Sequence, residues 1–255
     1  MKKCMIIAHR CGYKEANSLE NSIDALIYSN NKKYIDGIEL DTSLTKDKIL
    51  VVFHNSNIKI NNKKINIKNL TFKQLDEWYL KKYQKHLNTL EEMIKKIKSS
   101  KNLFIEIKNV LPLVGNDIDE TINKVNDLLE KYSFKSTKIL CFREDVLNKF
   151  SLLNKNESLC LLIDKRSYLY DMKIIHNIYF NKKIEVVGIE KNILTYNKAK
   201  IILKRKYLSI FTINTLEELE KVLDTLKELF EKYKDKIIIT TNIPKIVDKR
   251  INNCF

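Results

Sequence analysis

Glycine and proline are scarce in this chain, with only four glycines and two prolines among 255 residues. So low a content excludes collagen-like, proline-rich and linker-rich architectures. The five cysteines are odd in number and form no Cys-x-x-Cys pair; they stand at positions 4, 11, 141, 160 and 254. A disulfide framework and a zinc knuckle are therefore not indicated, and a reducing compartment is expected.

Long hydrophobic runs are also lacking. No stretch approaches the roughly 18 consecutive apolar residues that span a bilayer. The apolar run from Cys4 to Ala8 follows a basic Met-Lys-Lys, but it is shorter than a signal-peptide core and ends at His9-Arg10. We therefore expect a cytoplasmic protein without stable membrane association.

Arginine is rare as well, although the chain is strongly basic. Only five of the 47 basic residues are arginine, and 32 acidic residues leave a net charge of +15. The lysines are dispersed among many asparagines and isoleucines, which favours a solvated lysine surface over a nucleic-acid groove. A nucleic-acid binder stays the alternative, and steeply salt-dependent affinity would reveal it.

Short β-branched runs alternate along the chain with longer segments of helical periodicity, a pattern typical of βα units on a parallel sheet. Eight such runs are predicted as strands: 4–8, 35–41, 103–108, 138–142, 158–163, 185–190, 207–212 and 236–240. Eight parallel strands in a chain of this length indicate a single (β/α)8 barrel domain over residues 1–255. A doubly wound open sheet is the second choice.

Helix starts and one extra strand refine this topology. Thr89 and Thr215, each with Glu three positions later, predict capping boxes. The run 49–54 follows the second strand after only four polar residues, which is too short for a parallel crossover. It is therefore predicted to return as a hairpin, whereas residues 55–88 form the least regular stretch.

Polar residues stand at the ends of the first three predicted barrel strands and of the return strand, where barrels carry their chemistry. They are His9, Arg10, Glu39, Asp41, His54, Glu106 and Lys108. Side chains two apart on a strand share a face, so Glu39 and Asp41 point to the same side, as do Glu106 and Lys108. Three carboxylates that converge from these two neighbouring strands would repel one another without a cation. Oxygen-only ligands suit Mg²⁺ or Ca²⁺.

Each of these residues also has an ordinary structural explanation. A lone histidine is often a hydrogen-bonded core residue, and Glu39 and Asp41 could form ion pairs with Arg10 or Lys108. Glu20 could cap the first helix. Their joint occurrence at strand ends instead favours a metal site that two histidines flank. Together with the two cations, such a site suits an anionic phosphodiester.

Several motifs resemble those of the glycerophosphodiester phosphodiesterase family. They are 8–10 (Ala-His-Arg), 19–22 (Leu-Glu-Asn-Ser), 36–41 (Asp-Gly-Ile-Glu-Leu-Asp), 44–47 (Leu-Thr-Lys-Asp), 51–55 (Val-Val-Phe-His-Asn) and 105–108 (Ile-Glu-Ile-Lys). Weaker likenesses at 87–92, 211–214 and 239–244 extend the resemblance over the chain.

The resemblance implies a metal-dependent barrel enzyme that hydrolyses glycerophosphodiesters, small molecules, to sn-glycerol 3-phosphate and an alcohol. Carried onto this sequence, it makes Glu39, Asp41 and Glu106 metal ligands for Mg²⁺ or Ca²⁺. His9 and His54 become the acid/base pair, and Arg10 and Lys108 the phosphate contacts. Glu20 and Phe211 are secondary site residues.

Four positions depart from the family pattern: Cys11 and Asn55 replace a glycine and an aspartate, and Phe211 and Asn242 replace a tryptophan and an aspartate. None of them removes a proposed catalyst. Two other functions stay open: a barrel phospholipase acting on lipid phosphodiesters, and a barrel that binds metal or phosphate without turnover. The sequence leaves the oligomeric state undetermined.

Overall fold

The computed structural model of the chain describes residues 4–108, 116–154, 156–166, 176 and 181–254. All eight strands predicted for the barrel lie in these ranges. Their observed bounds are β1 (Met5–Ala8), β2 (Gly37–Leu44), β6 (Asn102–Ile107), β7 (Ser136–Cys141), β8 (Ser158–Ile163), β9 (Ile184–Glu190), β10 (Tyr207–Ile213) and β11 (Ile237–Thr241).

These eight strands close into a parallel ring. Each pairs in parallel with the next along the chain, and β1 pairs with both β2 and β11. The strands are almost wholly buried and rich in isoleucine, leucine and valine, as parallel strands covered on both faces must be. The predicted (β/α)8 barrel is confirmed, and the open sheet is excluded because the ring is closed.

The predicted return strand is also confirmed. It is β3 (Leu50–Val52), which lies outside the ring and pairs antiparallel with the end of β2. The backbone N–H of Phe53 then donates to the carbonyl of Asp41 (3.1 Å), so His54 follows directly beside the end of β2.

The stretch 55–88, predicted as irregular, is ordered instead. It contains a hairpin of β4 (Asn57–Ile60) and β5 (Lys63–Asn66), followed by the twelve-residue helix α3 (Phe72–Tyr83). A small apolar core of its own, which includes Phe53, Leu75 and Tyr79, holds it together. Its many lysines and asparagines are on the outside, which is why the linear composition looked irregular.

Helices follow most strands and cover the barrel. They are α1 (Tyr13–Ala16), α2 (Ile23–Asn30), α4 (Leu90–Ile94), α5 (Asn116–Lys131), α6 (Glu144–Leu153), α7 (Tyr196–Leu203), α8 (Leu216–Leu226), α9 (Glu228–Tyr233) and α10 (Pro244–Cys254). Among the described residues no helix is long and apolar enough to cross a membrane.

One of the two predicted capping boxes is complete. Thr89 and Glu92 cap each other reciprocally at the start of α4. At the start of α8, Thr215 accepts from the N–H of Glu218, but the Glu218 carboxylate accepts from the N–H of Asn214 (2.6 Å) instead of the cap. This helix ends at Leu226, because Lys227 turns the chain with a φ of 44°.

The strand register decides which side chains face the barrel interior. Glu39 lies beside Phe104, and Asp41 lies beside Glu106. Buried apolar side chains from six of the barrel strands, among them Phe104, form a cluster separate from the larger core that includes the helices. The carboxylates at 39, 41 and 106 therefore share the interior face at the carboxyl end of the strands.

Candidate active site

Three carboxylates meet where the middle of β2 lies beside the carboxyl end of β6. One oxygen each from Glu39, Asp41 and Glu106 lies within 4.8 Å of the other two. Glu39 and Asp41 are only 2% and 1% exposed, and one oxygen of each, Glu39 Oε1 and Asp41 Oδ1, accepts no hydrogen bond. Buried acceptors of this kind are costly unless they bind a cation. The three-oxygen arrangement therefore fits a hard divalent metal ion.

The pKa values of the clustered carboxylates show that the site favours a bound positive charge. Burial, together with the charges of Asp41 and Glu106, raises the pKa of Glu39 well above its usual range. Burial acts on Asp41 in the same direction, but Lys108, His54 and Arg10 outweigh it and lower the pKa of Asp41 to about 2. One carboxylate is thus held ionised while its neighbour resists ionisation until further positive charge arrives.

A tight turn directly after β1 aims the backbone at this cluster. Arg10, Cys11 and Gly12 all have positive φ, at 46°, 65° and 76°. The turn lets the Arg10 N–H donate to Glu39 Oε2 at 2.7 Å. A Cβ on Gly12 would lie 2.4 Å from the Ser29 hydroxyl, so only glycine fits there.

The side chain of Arg10 joins two acidic groups. Its Nη1 donates to Glu20 Oε2 (2.6 Å), and its Nε lies 3.5 Å from Asp41 Oδ2. Glu20 is therefore not the cap of α2; that cap is Ser22, whose hydroxyl accepts from the N–H of Ala25. Glu20 instead holds the guanidinium next to the carboxylate cluster.

Lys108 lies against the same cluster from the end of β6. Its Nζ is 2.6 Å from Glu106 Oε1 and 3.3 Å from Asp41 Oδ1. Burial lowers the pKa of this ammonium, but the neighbouring Glu106 and Asp41 outweigh burial and raise it. Lys108 is therefore a fixed cation at the site.

His9 is oriented by the last barrel strand. Its Nδ1 lies 3.0 Å from Asn242 Oδ1, and the Asn242 amide in turn donates to Asn214 Oδ1 at 2.6 Å. Burial and the Arg10 charge lower the pKa of His9 to about 4, so the ring is neutral at neutral pH. With its proton on Nδ1, the ring leaves Nε2 free to accept a proton.

His54 is less buried than His9. Its Nδ1 is 3.3 Å from Asn55 Oδ1, and burial followed by the charges of Lys108 and Arg10 lowers its pKa against the opposing pull of Asp41. Structure and sequence agree that both histidines neighbour the carboxylate cluster.

A cavity of about 410 Å³ opens over these groups. Its lining includes both histidines and the aromatic pair Phe142 and Phe211, whose ring centroids are 6.0 Å apart, edge to face. The lining cations are Arg10, Lys108, Lys165, Arg166 and Lys191; the lining carboxylates are Glu106, Asp164 and Glu190. The excess of positive charge suits an anionic ligand.

The sequence profile of the Glycerophosphoryl diester phosphodiesterase family matches residues 9–212. The chain belongs to this family. The structure of the phosphodiesterase of Oleispira antarctica, determined in complex with the product sn-glycerol-3-phosphate, superposes with a TM-score of 0.74 at 18% identity, covering 98% of this chain and 97% of the other. A glycerophosphodiester phosphodiesterase from Parabacteroides distasonis gives 0.76 at 21% identity, covering 99% and 98%.

A curated relative is more similar in sequence. An uncharacterised protein of Mycoplasma genitalium is 30% identical over 65% of this chain. The chain matches only 65% of that relative's length.

Two asparagines of this family member were not among its predicted site residues. Asn21 donates to Asp41 Oδ2 at 2.9 Å and also accepts from the Asp41 N–H at 3.3 Å. Asn242 orients His9. A usable signal existed for Asn242, because it directly follows β11, where the same strand-end rule that selected His9 and Glu39 applies.

The departures from the family pattern leave the assembled groups in place. Cys11 takes a left-handed conformation in spite of its side chain, and burial raises the pKa of its thiol well above the usual range. Asn55 contacts His54 as an amide instead of a carboxylate. Phe211 keeps an aromatic ring in the cavity.

Proposed function

We propose that this chain hydrolyses glycerophosphodiesters to sn-glycerol 3-phosphate and an alcohol. The observation that carries the proposal is the convergence of three carboxylates, two of which keep a buried oxygen that accepts no hydrogen bond, with two histidines and two fixed cations beside them. Family membership and the product named in the Oleispira antarctica structure support it.

Glu39, Asp41 and Glu106 would hold the divalent metal, Mg²⁺ or Ca²⁺. The fit rests on their oxygen-only ligand set and on the buried Glu39 Oε1 and Asp41 Oδ1, neither of which accepts a hydrogen bond. When bound, the ion neutralises non-bridging phosphate oxygens and so stabilises the charge that develops during transfer. Asn21 and the Arg10 N–H keep the remaining oxygens of Asp41 and Glu39 in position.

His9 and His54 would be the acid/base pair. His9, buried and with its pKa lowered to about 4, is a neutral group suited to accept the proton of the nucleophile. His54, which is less buried, can donate a proton to the leaving alkoxide. The nucleophile is water or the neighbouring hydroxyl of glycerol, and the two histidines exchange roles if a cyclic phosphate is opened in a second step.

Arg10 and Lys108 would contact the phosphate, because both are cations held at the mouth of the carboxylate cluster. Glu20 would position the Arg10 guanidinium through its 2.6 Å hydrogen bond. Phe211, packed on Phe142, would line the side of the cavity that receives the organic part of the substrate.

We infer a single-domain cytoplasmic enzyme whose partner is its small-molecule substrate, with no nucleic acid and no stable membrane association. Release of product from glycerophosphocholine, compared with release from intact phospholipid vesicles, separates it from a barrel phospholipase. Zero release with tightly bound metal would instead identify a binding protein.

Chelation should abolish turnover, and added Mg²⁺ or Ca²⁺ should restore it. The reason is that Glu39, Asp41 and Glu106 lie too close together to act at neutral pH without a cation between them. The measurement is a coupled assay of glycerol 3-phosphate release in chelator, and then with each metal in excess. Full turnover in excess chelator would remove the metal from the mechanism.

Replacing Lys108 by alanine should raise KM for the diester by about tenfold or more, since a charge-assisted contact to phosphate is lost. Metal affinity should not fall, because the lost ammonium is a competing positive charge 2.6 Å from Glu106. Titration calorimetry with Mg²⁺ and steady-state kinetics check the two parts. Lys149→Ala, on the outside of α6 in an ion pair with Asp119, is the matched control. An unchanged KM would contradict the phosphate role.

A further inference from the structure

The segment 55–88, which leads from His54 to α4, is strongly basic. This segment has eight lysines and two carboxylates, a net charge of +6 in 34 residues, whereas the other 221 residues carry +9.

Three of these lysines form one patch around Trp78. Lys59 and Lys64 are directly opposite each other on β4 and β5, a like-charge pair that destabilises a hairpin unless an anion is near. Trp78 donates its indole N–H to the carbonyl of Lys59 at 3.0 Å. Lys82 lies one turn further along α3, with its Nζ 5.0 Å from the centres of the Trp78 and Tyr83 rings.

In the described part of the chain, no carboxylate forms an ion pair with this patch. Among the residues that the structure describes, none lies within 4.0 Å of the ammonium of Lys59, Lys64 or Lys82. On the barrel helices, by contrast, exposed lysines pair with acidic neighbours, as Lys124, Lys149 and Lys221 do. The patch is therefore left for a partner that brings negative charge.

The patch adjoins the active site. Tyr83, whose ring lies under Lys82, lines a small cavity together with Tyr79, Glu20 and His54. A surface bound to the patch would consequently lie beside the side of the site on which His54 stands.

We propose that this patch, Lys59, Lys64 and Lys82 around Trp78, binds the surface of anionic phospholipid bilayers in a reversible, salt-sensitive contact. The segment contains no arginine, so it lacks the forked donor suited to bidentate recognition of individual phosphates. Lysine ammonium groups respond instead to the diffuse potential of a charged surface. Half-buried Trp78 adds the aromatic contact typical of an interface.

The test is co-sedimentation of the full chain with phosphatidylcholine vesicles that do or do not contain phosphatidylglycerol, at low and at raised salt. The parent should bind only the anionic vesicles and dissociate as salt rises. Lys59→Gln, Lys64→Gln and Lys82→Gln together should weaken binding about 100-fold, at about fivefold for each lysine. The triple Arg variant at the same positions should bind like the parent.

A matched control removes the same charge elsewhere: Lys124→Gln, Lys149→Gln and Lys221→Gln should weaken vesicle binding far less. Equal loss in both triple variants, equal binding to neutral vesicles, or no binding at all would overturn the proposal, as would tighter binding to single-stranded RNA than to anionic vesicles. Turnover of glycerophosphocholine by the patch variant should equal that of the parent, which shows that it is folded. Because the readout is binding, it fails or succeeds independently of the proposed hydrolysis.

Discussion

Replacing His9 by glutamine should lower kcat for glycerophosphodiester hydrolysis by about 10²–10⁴-fold, the usual contribution of a positioned acid/base group. Glutamine keeps a polar side chain of similar size near Asn242 but cannot take up a proton at neutral pH. Metal affinity should stay at the parent value, since His9 is not one of the three carboxylate ligands. Steady-state kinetics and calorimetry with Mg²⁺ measure the two quantities.

His86→Gln is the matched control for this variant. His86 is exposed on the segment that follows α3 and contacts Asp76 at 2.9 Å, away from the cavity. Its replacement should leave kcat unchanged. If the His9 variant retained more than about a tenth of parental turnover, His9 would be a structural residue of the barrel mouth and the acid/base pair would need another member.

The same variant should change the pH dependence of stability. Because the pKa of His9 is lowered from 6.5 to about 4, the unfolded chain takes up a proton in this interval that the native chain does not. Stability of the parent in chelator therefore falls as pH drops through this window. Chemical denaturation at pH 6.5 and at about pH 4 should show a smaller loss of unfolding free energy in the His9→Gln variant than in the parent. An equal loss would mean that the native His9 ring titrates normally.

Replacing Glu106 by glutamine should lower metal affinity by about 10–100-fold or more, and turnover should fall with it. Loss of a residue that only supports a metal ligand has an effect of this size, so loss of a ligand should have at least the same effect. The fold should survive. Burial and the Asp41 charge already raise the pKa of Glu106 against the opposing effect of Lys108, so a neutral side chain relieves like-charge repulsion. Raised Mg²⁺ should restore part of the rate.

The comparison variant is Glu217→Gln, which removes one exposed carboxylate from α8. It should bind Mg²⁺ and turn over like the parent. If Glu106→Gln also did so, Glu106 would be a carboxylate that merely fills the barrel, and the three-ligand site would not exist.

Much of the fold follows from local sequence patterns. Apolar runs such as 158–163 appear as strands with the predicted bounds, because full burial on both faces requires a continuous apolar segment. The four polar residues before the return strand left no room for a crossover, and β3 indeed pairs antiparallel with β2. The same local reading missed α3, since the lysines on its outer side hide the few apolar residues that hold it.

The polar residues of the site were also predictable from the sequence, because functional polar residues of a barrel lie at the carboxyl ends of its strands. Their partners were not. Asn242 orients His9 from 233 positions away, Asn21 binds Asp41, and Glu20 holds Arg10 instead of capping a helix. Nothing in local spacing distinguishes these contacts from capping or surface roles.

By itself, therefore, the sequence determined the eight strands, the return strand and the strand ends at which charged residues stand. Only the tertiary structure decided that Asp41 pairs in register with Glu106, that Glu39 and Asp41 each keep a buried oxygen that accepts no hydrogen bond, and that Lys59, Lys64 and Lys82 lie around Trp78 near His54. The physical reason is that apolar periodicity is set by neighbouring residues, whereas barrel register and closure are set by packing over the whole ring.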